Sequence, residues 1–206
     1  GYIQKHIDLI LQLDLVKADL IIEKQFKVVI DCINSTGAIS MVPLLEQLGC
    51  EVIAINDQVN GKFAHNPEPL AENLTELSAA VVHHKAHLGI AVDPDVDRLA
   101  LVCEDGELFG EEYTLVAVAD YILMQNGGGN SVSNLSSTQA LKIVTEKHGG
   151  SYSASAVGEV NVVQLMKDSQ AIIGGEGNGG IIYPALHYGR DAMVGIALFL
   201  SYLAES

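Results

Sequence analysis

Only two arginines, Arg98 and Arg190, occur in 206 residues, and basic side chains number 11 against 26 aspartates and glutamates. The formal charge of −15 repels nucleic-acid phosphates and anionic membrane surfaces, so neither is expected as a partner. Cysteine is equally scarce. Cys32, Cys50 and Cys103 make an odd count without a CxxC spacing, which argues against a disulfide framework and for a reduced, cytoplasmic compartment. The longest apolar stretch, residues 192–204, is interrupted by Gly195 and Ser201 and is too short to cross a bilayer. No basic segment followed by an apolar run opens the chain, so no signal peptide is read. Low-complexity tracts and short-period repeats are absent. With 49% apolar residues, the length suffices for one large core or two small ones.

What is present is an alternation of short apolar strands and helices. Residues 2–25 carry apolar positions at helical spacing (Ile3, Ile7, Ile10, Leu11) and predict one helix. Strands are predicted at 26–30, 51–55 and 88–92, and helices at 41–48 and 70–80. Asp105-Gly106 between apolar runs predicts a hairpin. A helix is expected over 111–125, followed by Asn126-Gly127-Gly128-Gly129-Asn130, the most linker-like segment. The second half repeats the pattern: strands at 131–135, 151–156 and 171–173, and helices capped by Ser136 or Ser137, over 160–167, and from about Arg190. This grammar argues for two tandem three-layer α/β/α domains with mixed four-stranded sheets, divided as 1–125 and 126–206.

The segment Val92-Asp93-Pro94-Asp95-Val96-Asp97-Arg98-Leu99 sets three carboxylates at i, i+2 and i+4 between two apolar strands. Their mutual repulsion is unfavourable without a cation, and oxygen donors without His or Cys nearby point to Mg²⁺. Arg98 can hold one phosphate oxygen while the metal holds another. A solvated acidic turn would seldom be bracketed by buried strands. An EF-hand loop would need Gly where Arg98 stands.

A second segment, Gly174-Gly175-Glu176-Gly177-Asn178-Gly179-Gly180, satisfies G-x-G-x-x-G. That dinucleotide pattern requires a helix directly afterwards, whereas Ile181-Ile182-Tyr183-Pro184 is extended. A plain glycine turn explains the glycines but not Glu176. Glycines admit a ligand close to the backbone, and a carboxylate accepts hydrogen bonds from two adjacent sugar hydroxyls.

The Asp93–Arg98 loop resembles the metal loop of the α-D-phosphohexomutases, the phosphoglucomutase, phosphomannomutase and phosphoglucosamine mutase superfamily. The resemblance implies that Asp93, Asp95 and Asp97 bind Mg²⁺ and that Arg98 positions phosphate in catalysis. It makes residues 1–125 a metal-binding domain, the second of four, and 126–206 a sugar-recognition third domain. Phe63 to Leu70 resembles the loop preceding the metal strand. The Gly175–Gly180 segment resembles the sugar loop, usually Gly-Glu-x-Ser-Gly, with Asn178 replacing Ser; Glu176, Gly177 and Asn178 would then bind substrate. Ala156-Val157-Gly158-Glu159-Val160-Asn161-Val162 resembles a substrate-adjacent loop in which relatives carry His or Asp at the position of Glu159. Gly189-Arg190-Asp191-Ala192 is similar to an Arg-Asp-Gly at a helix start. Arg190 stays open between a substrate contact and a structural ion-pair partner.

The implied activity interconverts hexose or hexosamine 1- and 6-phosphates through an enzyme phosphoserine and a bisphosphorylated sugar. Glucosamine, glucose and mannose phosphates all remain open. The phosphoserine belongs to a Ser-His-Asn-Pro-like loop in the family's first domain. No Ser-His dipeptide occurs here, and Ala64 before His65-Asn66-Pro67 offers no hydroxyl. The chain is therefore expected to be a central piece lacking the first and fourth domains, and inactive alone. The rival is a two-domain sugar-phosphate or Mg²⁺-binding module without turnover. His83, His84 and His87 read as a polar surface turn, Asn34-Ser35-Thr36-Gly37 as an ordinary turn, and the cysteines as core.

Overall fold

The structure, a computed structural model, describes residues 1–134 and 139–206. The first half contains α1 (Tyr2–Leu11), α2 (Ala18–Lys24), β1 (Lys27–Asp31), α3 (Gly37–Gln47), β2 (Glu51–Ile55), α4 (Thr75–His84), β3 (Leu88–Val92), β4 (Leu99–Cys103) and β5 (Leu108–Phe109). Its sheet has the order β2-β1-β3-β4-β5. The first three strands are parallel, and β4 and β5 are antiparallel additions. The sheet is therefore mixed, but five-stranded rather than four-stranded: the short arm after Asp105-Gly106 pairs with β4 and becomes an edge strand.

Alternation along these strands builds the layers. Val28, Ile30, Leu88, Ile90, Leu99 and Leu101 face one core, while Val29, Ala91, Ala100 and Val102 face another with Leu77 and Val81 of α4. Because both faces are covered, β1 and β3 read as continuous apolar runs.

After a long helix, α5 (Glu111–Asn126), come β6 (Asn130–Asn134), α6 (Ala140–Lys147), β7 (Tyr152–Ser155), α7 (Glu159–Ser169), β8 (Ala171–Glu176), β9 (Gly180–Ile182) and α8 (Ala192–Glu205). The second sheet, β7-β6-β8-β9, is mixed and four-stranded. Leu135 and the expected caps Ser136 and Ser137 lie outside the described residues. The glycine run is a tight connection rather than a flexible linker. Gly127 closes α5 at φ +73°, and the Gly128 amide donates to the Leu123 carbonyl. The α5 helix packs on β4 as well as on β8, α6 and α8.

The single helix expected over 2–25 is two helices. Long-range hydrogen bonds hold the intervening chain open: Lys17 N–H donates to Ser201 Oγ (3.0 Å) and Tyr121 hydroxyl donates to the Leu15 carbonyl (2.6 Å). Likewise the helix expected at 70–80 is a 3₁₀ turn, Ala71–Asn73, followed by α4. His83 and His84 sit in the last turn of α4 rather than in a surface turn, and His87 Nδ1 accepts from Lys27 N–H.

Candidate active site

The carboxyl end of β3 delivers Asp93, and the chain folds back on it at once. Asp93 Oδ1 accepts from the amides of Asp97 (2.9 Å) and Arg98 (3.2 Å), and Val96 N–H donates to the Asp93 carbonyl (3.0 Å). Val96 sits at φ +55°, a left-handed conformation that a β-branched residue adopts only when its surroundings enforce it. One such constraint is visible: the amide of Ala192, first residue of α8, donates to the Val96 carbonyl at 3.1 Å. The loop is clamped from within and from the second half of the chain.

The glycine–glutamate segment is the hairpin between β8 and β9, and it meets the aspartate loop directly. Leu99 N–H donates to the Gly179 carbonyl (3.0 Å), and Arg98 pairs with Gly180 as an isolated bridge. Gly179 has φ +93°, and a Cβ there would lie 2.5 Å from the Leu99 carbonyl oxygen. Only glycine permits this approach. Glu176 is buried at 5% exposure. Asn178 Nδ2 donates to Glu176 Oε2 (3.3 Å), and Asn178 Oδ1 accepts from Gly180 N–H (3.3 Å).

Arg190 joins the segments. Its guanidinium meets Asp97 Oδ2 at 2.8 Å, Glu159 Oε2 at 3.0 Å and Glu176 Oε2 at 3.3 Å, and its amide donates to Glu159 Oε1. Asp93, Asp97, Arg98, Glu159, Glu176, Gly177, Asn178 and Arg190, distant in sequence, thus converge on one region. Asp95 stands exposed at the rim. It lines two cavities. One, of about 340 Å³, also touches His6, Thr36, Ser40 and Arg190, and the other, of about 180 Å³, touches Pro67, Glu68, Asp93 and Arg98.

The electrostatics of the loop suit a cation. Asp97 is pushed well above the usual carboxylate range by burial and by the neighbouring Asp93 carboxylate, against the opposing pull of Arg190. Among the described residues its Oδ1 is buried without a donor, and Arg98 Nε is buried without an acceptor, reaching Asp93 Oδ2 only at 3.8 Å. An oxygen-only donor set with an orphaned carboxylate oxygen fits a hard divalent ion.

Two clusters escaped the sequence reading. Asp191 caps α8: Oδ1 accepts from the amides of Met193 and Val194, and Oδ2 accepts from His6 Nε2 (2.6 Å) and His187 Nε2 (2.9 Å). Although burial pushes the Asp191 carboxyl up, hydrogen bonds from His187 and His6 hold it down at about 2. The hydrogen bond to Asp191 outweighs burial in raising His6. The three side chains lie close enough to suggest a metal site. However, Gly189 N–H donates to His187 Nδ1, which leaves the ring proton on Nε2, facing Asp191. The trio is a hydrogen-bonded cap.

The other cluster centres on Asp31, 1% exposed at the end of β1. Its Oδ2 lies 2.6 Å from His65 Nε2, and its Oδ1 accepts from Asn56 Nδ2 and Ile33 N–H. His65 Nδ1 lies 2.8 Å from the Asn66 carbonyl. Both ring nitrogens face acceptors, which favours the protonated ring and raises its pKa against the opposing effect of burial. A carboxylate ending an apolar strand was the available signal, since it needs a partner once buried.

Family models of phosphoglucomutase/phosphomannomutase α/β/α domains II and III match residues 4–106 and 110–206 respectively. The chain belongs to this family. It is an α-D-phosphohexomutase chain carrying the second and third domains. Among its relatives, a phosphoglucomutase/phosphomannomutase of Thermococcus kodakarensis is 34% identical over 180 residues, covering 87% of this chain and 40% of that protein. A probable phosphoglucosamine mutase of Methanosarcina acetivorans is 34% identical over 205 residues, 98% of this chain and 45% of its own. A crystal structure of a putative phosphomannomutase from Thermus thermophilus superposes with a TM-score of 0.89 at 24% identity, covering 99% of this chain and 47% of that one. This phosphohexomutase chain thus spans about 40% of the length of the curated relatives it matches. No helix among the described residues is long and apolar enough to cross a membrane.

Proposed function

We propose that these residues are the cation- and sugar-binding centre of an enzyme that interconverts hexose or hexosamine 1- and 6-phosphates. In this reading the first half, drawn at 1–125, holds Mg²⁺ on Asp93, Asp95 and Asp97. The second, 126–206, reads sugar hydroxyls with Glu176 and Asn178 from the Gly177 turn, and α5 serves both. The observation that carries the reading is the joint between the two loops. Among the described residues the aspartate loop, which carries the orphaned buried Oδ1 of Asp97, is hydrogen-bonded directly to the glycine hairpin through Leu99 N–H and the Gly179 carbonyl. The relatives' names agree with it.

Mg²⁺, when bound, would neutralise phosphate charge next to the sugar. Arg98 lies beside it, its side chain 32% exposed and lining the smaller cavity, and is assigned the phosphate contact. Glu176 is positioned to accept from the sugar. Arg190 and Glu159 are assigned here to the ion-pair frame around that site. The phosphoserine and the grip on the second phosphate are assigned to other domains of the enzyme, so the 206 residues alone should not turn over hexose phosphates.

Titration calorimetry with Mg²⁺ tests the cation reading. Binding is expected to the wild-type chain and to vanish in Asp95→Asn, which removes charge at an exposed rim position. Undiminished binding in that variant would sink the assignment. A coupled assay of the same protein on glucose 1-phosphate is expected to give background rates.

A further inference from the structure

Arg190 directs each nitrogen of its guanidinium to a different acid. Nη2 takes Asp97 of the metal loop, Nη1 takes Glu176 of the hairpin, and Nε takes Glu159 at the start of α7. The arginine side chain is 20% exposed, and the side chains of Asp97 and Glu176 are 22% and 7% exposed. These charges therefore act on one another with limited solvent screening. One cation facing three carboxylates leaves the group short of positive charge. What Arg190 gives to one acid, it withholds from the others.

A divalent ion on the aspartate loop changes that division. It would take up the negative charge of Asp97, whose Oδ1 is buried without a donor among the described residues, and would repel the guanidinium on Oδ2. Arg190 then has less reason to lean on Asp97 and more to lean on Glu176 and Glu159. We propose that Arg190 couples the cation loop to the sugar-reading hairpin, so that occupation of either changes the other; this rests on the function proposed above. Without the ion, the guanidinium is shared between Asp97 and Glu176. With it, Arg190 settles on Glu176 and Glu159 and fixes the carboxylate that faces the sugar. By linkage, a sugar held at Glu176 alters cation affinity by the same factor.

A second route between the loops runs through the backbone, from Leu99 N–H to the Gly179 carbonyl and through the Arg98–Gly180 bridge. The experiment must separate the two. The ¹⁵N-labelled chain is titrated with Mg²⁺ alone, and the amides of Asp95 and Asp97 are followed together with those of residues 175–180. In the wild type both sets are expected to move with one affinity. In Arg190→Lys a single ammonium keeps the charge but lacks the planar fork that sets separate nitrogens on Asp97 and Glu176; Asp95 and Asp97 should still move while 175–180 falls silent. Glu176→Gln probes the same link from its other end with Arg190 intact, and the hairpin response should again be lost.

Hairpin shifts that persist in both variants would assign the transmission to the backbone and overturn the proposal. Aspartate-loop shifts without hairpin shifts in the wild type would overturn it too, while leaving the cation site standing. Silence of both sets would remove the cation site, and the coupling with it.

Discussion

Glu176 is the residue on which a sugar-directed reading turns. Its carboxylate is buried, yet among the described residues it has only two side-chain donors, Asn178 Nδ2 and Arg190 Nη1, each at 3.3 Å. A carboxylate has more acceptor sites than that, and the contacts present are long. Two sugar hydroxyls would fill the remainder. Hydrogen bonds to a charged group contribute roughly 1.5–3 kcal/mol, so Glu176→Gln in the intact enzyme should lower kcat/KM by about tenfold or more. The loss should shrink for a deoxy-sugar lacking a contacted hydroxyl. Near-normal kcat/KM on the full sugar would leave Glu176 as an incidental acid in a glycine turn. The same scale explains the strained Val96: its positive φ lets the chain turn Asp97 back beneath Asp93 while its carbonyl remains available to α8.

Among the elements, the loop between β2 and α4 gains its position from one ion pair. His65 ties the loop to the buried Asp31, and Pro67 and Glu68, two and three residues on, form a wall of the smaller cavity beside Asp93 and Arg98. Burial would lower the His65 pKa, but the hydrogen bonds to Asp31 and to the Asn66 carbonyl outweigh it, and the value lies above normal. A raised folded-state pKa contributes stability that is complete below the unfolded value of about 6.5. That contribution is lost as pH rises through the folded value. His65→Gln should therefore cost stability mainly on the acid side, about 1–2 kcal/mol for a part-buried charged hydrogen bond. Urea unfolding of both proteins between pH 5 and pH 9, a range of about four units centred near the imidazole pKa, should show the difference narrowing upward. A gap that is constant with pH would mean that the imidazole is not held as a cation.

This element also marks the limit of what the sequence discloses. The strands and the aspartate loop were legible because apolar runs and repeated carboxylates are local signals. The pairing of Asp31 with His65 spans 34 residues, and neither residue announces the other. The break between α1 and α2 was hidden for a similar reason, since its restraints come from Tyr121 and Ser201. Helical spacing continues unbroken through residues that tertiary hydrogen bonds pull out of the helix. The fifth strand was visible as a hairpin arm, but not its place in the sheet. Arg190 was read as either frame or contact; only the fold reveals that three acids from three segments surround it.

At the scale of the whole molecule, the halves share one core. The largest apolar cluster runs from Ile7 and Ile30 of the first half through Leu115 and Tyr121 of α5 to Ile173 and Leu198 of the second. Helix α8 is buried along nearly its whole length, in contact with α1, α2, α3, α5, β4 and β9. Two family domains packed on one shared cluster are expected to behave as one thermodynamic unit. A calorimetric scan is expected to show a single transition with equal calorimetric and van't Hoff enthalpies. Leu198→Ala, which empties a fully buried site, should lower that transition as a whole, by about 2–5 kcal/mol of stability, rather than split it. A second melting step confined to residues 110–206 would show that the halves come apart. If they do not, no fluctuation can open the glycine hairpin by unfolding its half alone, and loosening on one side of the candidate site is felt on the other before any ligand arrives.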